Sequence, residues 1–303
     1  MNAVAATLGG PASRAARRRR RSEAAGTAAM FYPAFALVAA VSFFPLFYAI
    51  RQSLHRADYL ELGGFVGLRN FITLFATGGG LHFLSVSLLF VAGTLALAVP
   101  LGIGLALLLA RPIRFRTAFR LVLAFPWVVS ELVTGYLWMW FYDGRLGPLA
   151  DLFSRFGLAN PLSDPHTALA GVVLASSWRA YPLVMIFTLA ALQTVPVDVQ
   201  EAARLDTLNE WQRLRYVTLP LIRSSVLVAL VLTTLHSFNS VTLVLAMTGG
   251  GPVGATDVLG MRVFSEAFQF YRMDVACTIA VVIFGLNILA SAAFIRVLRG
   301  QPE

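Results

Sequence analysis

The chain carries six apolar runs long enough to cross a lipid bilayer: Met30–Ile50, Phe83–Leu109, Leu121–Phe141, Leu169–Leu192, Ser224–Met247 and Val275–Ile295. Hydrocarbon about 30 Å thick requires roughly 20 helical residues. Lipid offers no partner to a backbone N–H or C=O, so each run is expected to be a helix. Four of the runs contain no Asp, Glu, Lys or Arg, and the other two contain one each, Glu131 and Arg179. With 58% hydrophobic and 13% charged residues and a mean hydropathy of +0.73, the composition excludes an ordinary soluble domain. The expected fold class is an all-α integral membrane protein with six transmembrane helices.

Orientation follows from the 24 basic residues, every one an Arg. If the N-terminus is cytoplasmic, the inner segments hold 16 of them and the outer segments 7, with Arg179 inside a span. Such an excess of basic residues on one side predicts both termini inside. Residues 1–28, rich in Ala and Gly with the run Arg17–Arg21, read as a disordered cytoplasmic tail that sets topology rather than binding nucleic acid. Residues 29–299 then form the transmembrane domain, with a short tail at 300–303. The first apolar run is too long for a signal peptide, and no small-x-small cleavage site follows it. Cys277 is the single cysteine, so neither a disulfide nor a Cys-based metal site forms within the chain.

Chemistry is poorly provided for. There is no G-x-x-x-x-G-K-[ST], H-E-x-x-H or G-x-S-x-G, and His55, His82, His166 and His236 are scattered. No catalytic residue, bound cofactor or metal is expected. The informative stretch is EAARLDTLNEWQRLRYVTLPLI, Glu201–Ile222, a charged, helix-forming segment between two spans and on the cytoplasmic side of the expected topology. Pro196 suits a first helical turn and Asp198 and Glu201 suit the N-terminal half, so a first short helix is expected to end near Leu205. Thr207-Leu208-Asn209-Glu210 matches a capping box, predicting a second helix from Leu208 with Trp211, Leu214 and Val217 on one face. Pro220 then leads into the fifth span.

These residues resemble the EAA loop of permease subunits of bacterial ABC importers, whose pattern is E-A-A-x-x-D-G-A and later [IV]-x-L-P. Further matches, FVGLRNF at 65–71, RPIRFRTAFR at 111–120, FPWVV at 125–129, WRAYP at 178–182 and TGGGPVGAT at 248–256, are similar to the maltose-type and glycerol-phosphate-type permeases. The resemblance spans about residues 30–298. It implies a six-helix permease of the bacterial cytoplasmic (inner) membrane, paired with a second permease subunit. It also implies two ABC ATPase subunits that bind ATP-Mg, and an extracellular or periplasmic solute-binding protein. The loop at 194–222 would be the coupling element, with Glu201, Ala202, Ala203, Asp206, Thr207, Leu219 and Pro220 forming the ATPase-docking segment. Gly249–Pro252 reads as a tight outer turn near the binding-protein surface.

The solute is less legible. Glu131, Trp178, Arg179, Tyr181, His236 and Asn239 are polar or aromatic groups within spans, where an unpaired charge costs roughly 3 kcal/mol or more. They are read either as a path for a hydroxylated solute such as a sugar or oligosaccharide, or as an Arg179–Glu131 pair that locks two helices. A glycerol-3-phosphate-type importer is the alternative, although a phosphate would want more basic groups than Arg179. A stand-alone secondary carrier is a further alternative, but it would need more intramembrane carboxylates than Glu131. Arg114, Arg116 and Arg120 are expected to face anionic membrane lipid.

The chain departs from the family pattern at Thr207, where the family has Gly. Thr is strained at positive φ but suits a helix cap, so the hook is expected to be kept and stiffened. Replacing Thr207 by Gly should therefore change transport by less than an order of magnitude. A large gain would mean that docking is impaired in the natural sequence.

Overall fold

The computed structural model describes residues 11–58, 61–157, 159–205 and 209–299. It divides into two units, residues 1–51 and 52–303. The first consists of most of α1 (Pro11–Ser53). This helix starts well before the apolar boundary, so residues 11–28, expected to be disordered, are helical. The cause is local: Ala and Arg are strong helix formers that extend a helix already set by the apolar run. Its large apolar side chains, including Phe31, Phe35, Phe44 and Phe47, are exposed, as lipid-facing groups should be.

The second unit begins with an antiparallel hairpin, β1 (His55–Asp58) and β2 (Glu61–Phe65), and a short helix, α2 (Arg69–Ala76). Asn70 donates through Nδ2 to the carbonyls of Ser53 and His55, tying hairpin to helix. Next come α3 (Gly80–Ala110), α4 (Arg116–Val128), α5 (Glu131–Phe141), α6 (Ala150–Phe156), α7 (Ala168–Leu192), α8 (Val197–Leu205) and α9 (Glu210–Arg213). The chain ends with α10 (Leu219–Phe238), α11 (Thr242–Met247), α12 (Leu259–Phe264) and α13 (Met273–Arg299). Among the described residues, five helices are long and apolar enough to cross a membrane, or six spans if the bent pair α4 and α5 counts as one.

That pair corrects the expectation of a continuous third span. The chain bends by 99° between α4 and α5. Val129 is extended, and Ser130 caps α5 by accepting from the Val133 amide at 3.3 Å. A Ser N-cap followed by Glu131 in the first turn is a strong helix start, embedded in an apolar run that hides it. The fifth span is also interrupted, because α10 ends at Phe238 and α11 begins at Thr242.

The bundle core forms where helices approach closely. Phe90, Val172, Val244, Leu259, Met261 and Ile279 are fully buried in one cluster. Gly102 sets the approach of α3 to α7: a Cβ there would lie 2.7 Å from the Val184 Cβ and 2.8 Å from the Tyr181 carbonyl oxygen. Small residues at helix contacts are the usual means of association in lipid. Ser87 on α3 accepts from the Leu259 amide at 2.7 Å, so a buried donor at the start of α12 is satisfied from another helix.

At the end of α10 distant from α8, Thr248–Thr256 forms the tight turn expected from TGGGPVGAT. The Thr248 and Thr256 hydroxyls lie 2.7 Å apart, and Thr256 donates to the Gly251 carbonyl at 2.7 Å. Beside it, buried Glu266 receives Arg272 through two hydrogen bonds, at 2.7 and 2.8 Å, and Arg262 at 2.7 Å. Burial raises the Asp257 carboxyl above its ordinary pKa despite its contact with Arg262.

Gly102→Leu should destabilise the chain by about 1–3 kcal/mol through overpacking. Gly104→Leu, where a Cβ meets nothing within 4 Å, should be nearly neutral. Comparative unfolding of the two purified variants checks this.

Candidate functional site

Three of the residues singled out in the sequence meet at the break of the bent span. Glu131 opens α5, Arg179 lies midway along α7, and His236 lies in the last turn of α10. The His236 Nε2 is 2.7 Å from the Glu131 Oε1, and the Arg179 Nη1 is 3.5 Å from the same oxygen. Arg179 also donates through Nε to the Val129 carbonyl at 3.2 Å. The guanidinium therefore satisfies a backbone acceptor that the break between α4 and α5 removes from the helical ladder. In a membrane that acceptor would otherwise be costly.

His236 has two ways to bond. Its Nε2 is also 2.9 Å from the Arg179 Nη1. With a proton, Nε2 donates to Glu131; without one, its lone pair accepts from Arg179. One nitrogen cannot do both, so the cluster holds two mutually exclusive arrangements. Glu131 and Arg179 are only partly accessible, with side-chain exposures of 18% each, whereas the His236 side chain is 51% exposed. The group thus has a paired, shielded base and an open imidazole edge. Asn239, at the C-terminal cap of α10, is exposed beside it in sequence and donates to the Leu235 carbonyl at 2.7 Å.

Trp178 and Tyr181 are placed differently from the expectation. The Trp178 ring packs edge-on against Trp138 at 6.1 Å, and Tyr181 is buried with Ala98 and Ala180. Both support the contacts of α7, because residues flanking Arg179 fall on other faces of the helix.

The second group is the connection from α7 to α10. Pro196 directly precedes α8, whose described residues run to Leu205. Glu201 and Ala202 are exposed, and Ala203 is buried. Asp206, Thr207 and Leu208 lie outside the described residues. The capping box is two residues later than predicted: Asn209 accepts from the Gln212 amide at 2.7 Å, and Gln212 accepts from the Asn209 amide at 3.0 Å. Asn is a stronger N-cap than Thr, and Gln closes the box as well as Glu. Glu210, expected to close it, pairs instead with Arg213 and, across to the end of α3, with Arg111 at 3.4 Å. That link between two segments was not readable from local sequence.

From α9 the helix continues through a π-turn, Leu214–Thr218, into α10. The Leu219 amide bonds to the Leu214 carbonyl, five residues back. Pro220 has no N–H and its ring crowds the carbonyl four residues earlier, which the wider turn relieves. Trp211 is 64% exposed on α9, while Leu214, Val217 and Leu219 are half-buried and Pro220 is exposed.

A helical bundle with a broken span, a charged cluster at the break and a connection with exposed Glu201, Ala202 and Trp211 has the form of a membrane transport component. The family model described as "Binding-protein-dependent transport system inner membrane component" matches residues 98–299, and the chain belongs to that family. The chain is 31% identical over 263 residues to the sn-glycerol-3-phosphate transport system permease protein UgpA of Brucella abortus biovar 1 (strain 9-941), covering 86% of this chain and 90% of that one. It is 28% identical to the trehalose/maltose transport system permease protein MalF of Thermococcus litoralis, covering 90% and 94%. A bacterial alginate ABC transporter, solved in complex with an alginate pentasaccharide-bound periplasmic protein, has a chain of the same fold. Its TM-score is 0.78 at 19% identity, over 93% of this chain and 96% of that one.

Removing one partner from the Glu131–Arg179 pair leaves the other charge unpaired. Glu131→Gln and Arg179→Gln should each cost about 3 kcal/mol, and the double variant should cost clearly less than their sum. Unfolding of the four proteins in detergent checks the cycle.

Proposed function

We propose that the chain is one permease subunit of an ATP-driven importer of uncharged sugars or oligosaccharides. It spans the bacterial inner membrane six times, with the bent pair α4 and α5 as one span and both termini inside. Residues 29–299 form the permease domain. A second permease completes the pore, two ATPase subunits bind and hydrolyse ATP-Mg, and a soluble binding protein delivers the solute from outside. The chain itself does no covalent chemistry.

One observation carries this reading: Glu210–Phe238 is a single helical rod that joins the exposed connection to His236. An ATPase that grips Glu201, Ala202 and Trp211, with Asp206, Thr207, Leu219 and Pro220 shaping the hook, would move the rod as a rigid body. The rod would shift His236 against Glu131 and Arg179, and so change which side of the membrane reaches the path. Glu131, Arg179, His236 and Asn239 line that path, while Trp178 and Tyr181 brace it.

The same cluster supports an uncharged solute. Arg179 is committed to the Glu131 carboxylate and the Val129 carbonyl, so its charge is already answered within the cluster and is poorly placed to neutralise a phosphate. The open imidazole and the Asn239 amide suit hydroxyl groups instead.

Ala202→Cys should crosslink to the ATPase subunit in the assembled transporter, whereas buried Ala203→Cys should react poorly. In proteoliposomes, Trp211→Ala should lower ATP-dependent sugar uptake at least tenfold without loss of assembly. Uptake by this chain without an ATPase would overturn the proposal.

A further inference from the structure

A groove of about 340 Å³ lies between α4 and α7, at the end of the bundle that carries α8. Leu121, Ala124, Met185, Ile186, Leu189 and Ala190 form its walls, and Arg120 and Gln193 stand at its mouth. Met185 and Leu189 also belong to a small buried cluster with Ala106 and Leu109. The walls are wholly aliphatic, and the mouth holds a cation and an amide.

Arg120 is incompletely used. It donates through Nη2 to the Leu109 carbonyl at 3.4 Å, but its Nε is buried without a partner among the described residues. A buried guanidinium N–H left unbonded is a costly donor. The surroundings add positive charge: Arg114, Arg116 and Arg120 fall within seven residues and no Asp or Glu occurs between Arg111 and Ser130, while Arg111 is answered by Glu210. Arg114 and Arg116 are exposed.

We propose that this groove is a binding site for an anionic phospholipid, with the headgroup phosphate on Arg120 and one acyl chain along the aliphatic walls of α4 and α7. Charge complementarity selects the occupant. A guanidinium presents paired N–H donors to phosphate oxygens, and basic pockets between helices at the cytoplasmic side suit anionic headgroups. Gln193 at the mouth supplies an amide for the glycerol or headgroup hydroxyls. The site lies three residues before Pro196, so a bound lipid would brace the exit of α7 towards α8. The inference rests on the proposed topology, which puts this end of the bundle at the cytoplasmic side, and stands apart from the choice of transported solute.

The test uses the assembled transporter in mild detergent, stripped of loosely held lipid and titrated with phosphatidylglycerol or phosphatidylcholine, with bound lipid counted by native mass spectrometry. Phosphatidylglycerol should be retained over phosphatidylcholine. Arg120→Gln and the groove-filling Ala190→Trp should each lower that retention about tenfold, whereas Arg114→Gln should leave it within twofold. Equal retention of the two lipids, or equal loss in Arg114→Gln, would reduce the effect to a diffuse lipid annulus and overturn the site. Crosslinking of Ala190→Cys to the second permease, in place of labelling by a photoreactive phosphatidylglycerol, would give the groove to a protein partner and overturn it equally.

Discussion

A backbone in hydrocarbon must satisfy its own polar groups, and the architecture turns on a place where the helix does not. At Val129 and Ser130 the bent span gives up its helical ladder. The Ser130 hydroxyl returns one acceptor to the start of α5, and the Arg179 guanidinium returns one donor to Val129. The guanidinium brings a charge that Glu131 answers, and Glu131 in turn fixes His236. A local interruption in one helix thus assembles a polar group from three. Non-helical backbone at such a depth is tolerated only where protein or an aqueous cavity meets it.

The cytoplasm-directed connection of the proposed topology obeys the opposite logic. It is short, charged and capped by its own side chains, with Asn209 and Gln212 closing α9. Its strength comes from continuity rather than from burial, since the helix runs on through the π-turn without a break in hydrogen bonding. The buried Glu266 group near the far end of α10 provides a second fixed point, where two arginines converge on one carboxylate. Between these anchors the close contact at Gly102 couples α3 to α7.

Much of this was legible before any coordinates. The apolar runs locate the spans because hydropathy integrates over about 20 residues. The charges inside those runs, Glu131 and Arg179, mark the polar group because an intramembrane charge demands a partner. The EAA residues and the order of the accompanying motifs point to the family to which the chain belongs. What escaped were signals of one or two residues inside longer patterns. Ser130-Glu131 is a helix start masked by its apolar neighbours, and Asn209 lost to Thr207 because both satisfy the spacing of a capping box. The third member of the cluster, His236, meets Glu131 across 105 positions of sequence, and only folding reveals that pairing. Trp178 and Tyr181, adjacent to Arg179 in sequence, pack instead against Trp138 and against Ala98 and Ala180, contacts that sequence adjacency does not reveal.

The π-turn in the rod has a mechanical corollary. At 1.5 Å per residue, the 29 residues from Glu210 to Phe238 make a lever of about 44 Å. A swing of roughly 10° about its midpoint, modest beside known rigid-body rotations, would carry His236 about 3 Å. A displacement of that size exceeds the tolerance of any hydrogen bond, so a tilt driven at one face becomes an all-or-none exchange at the other.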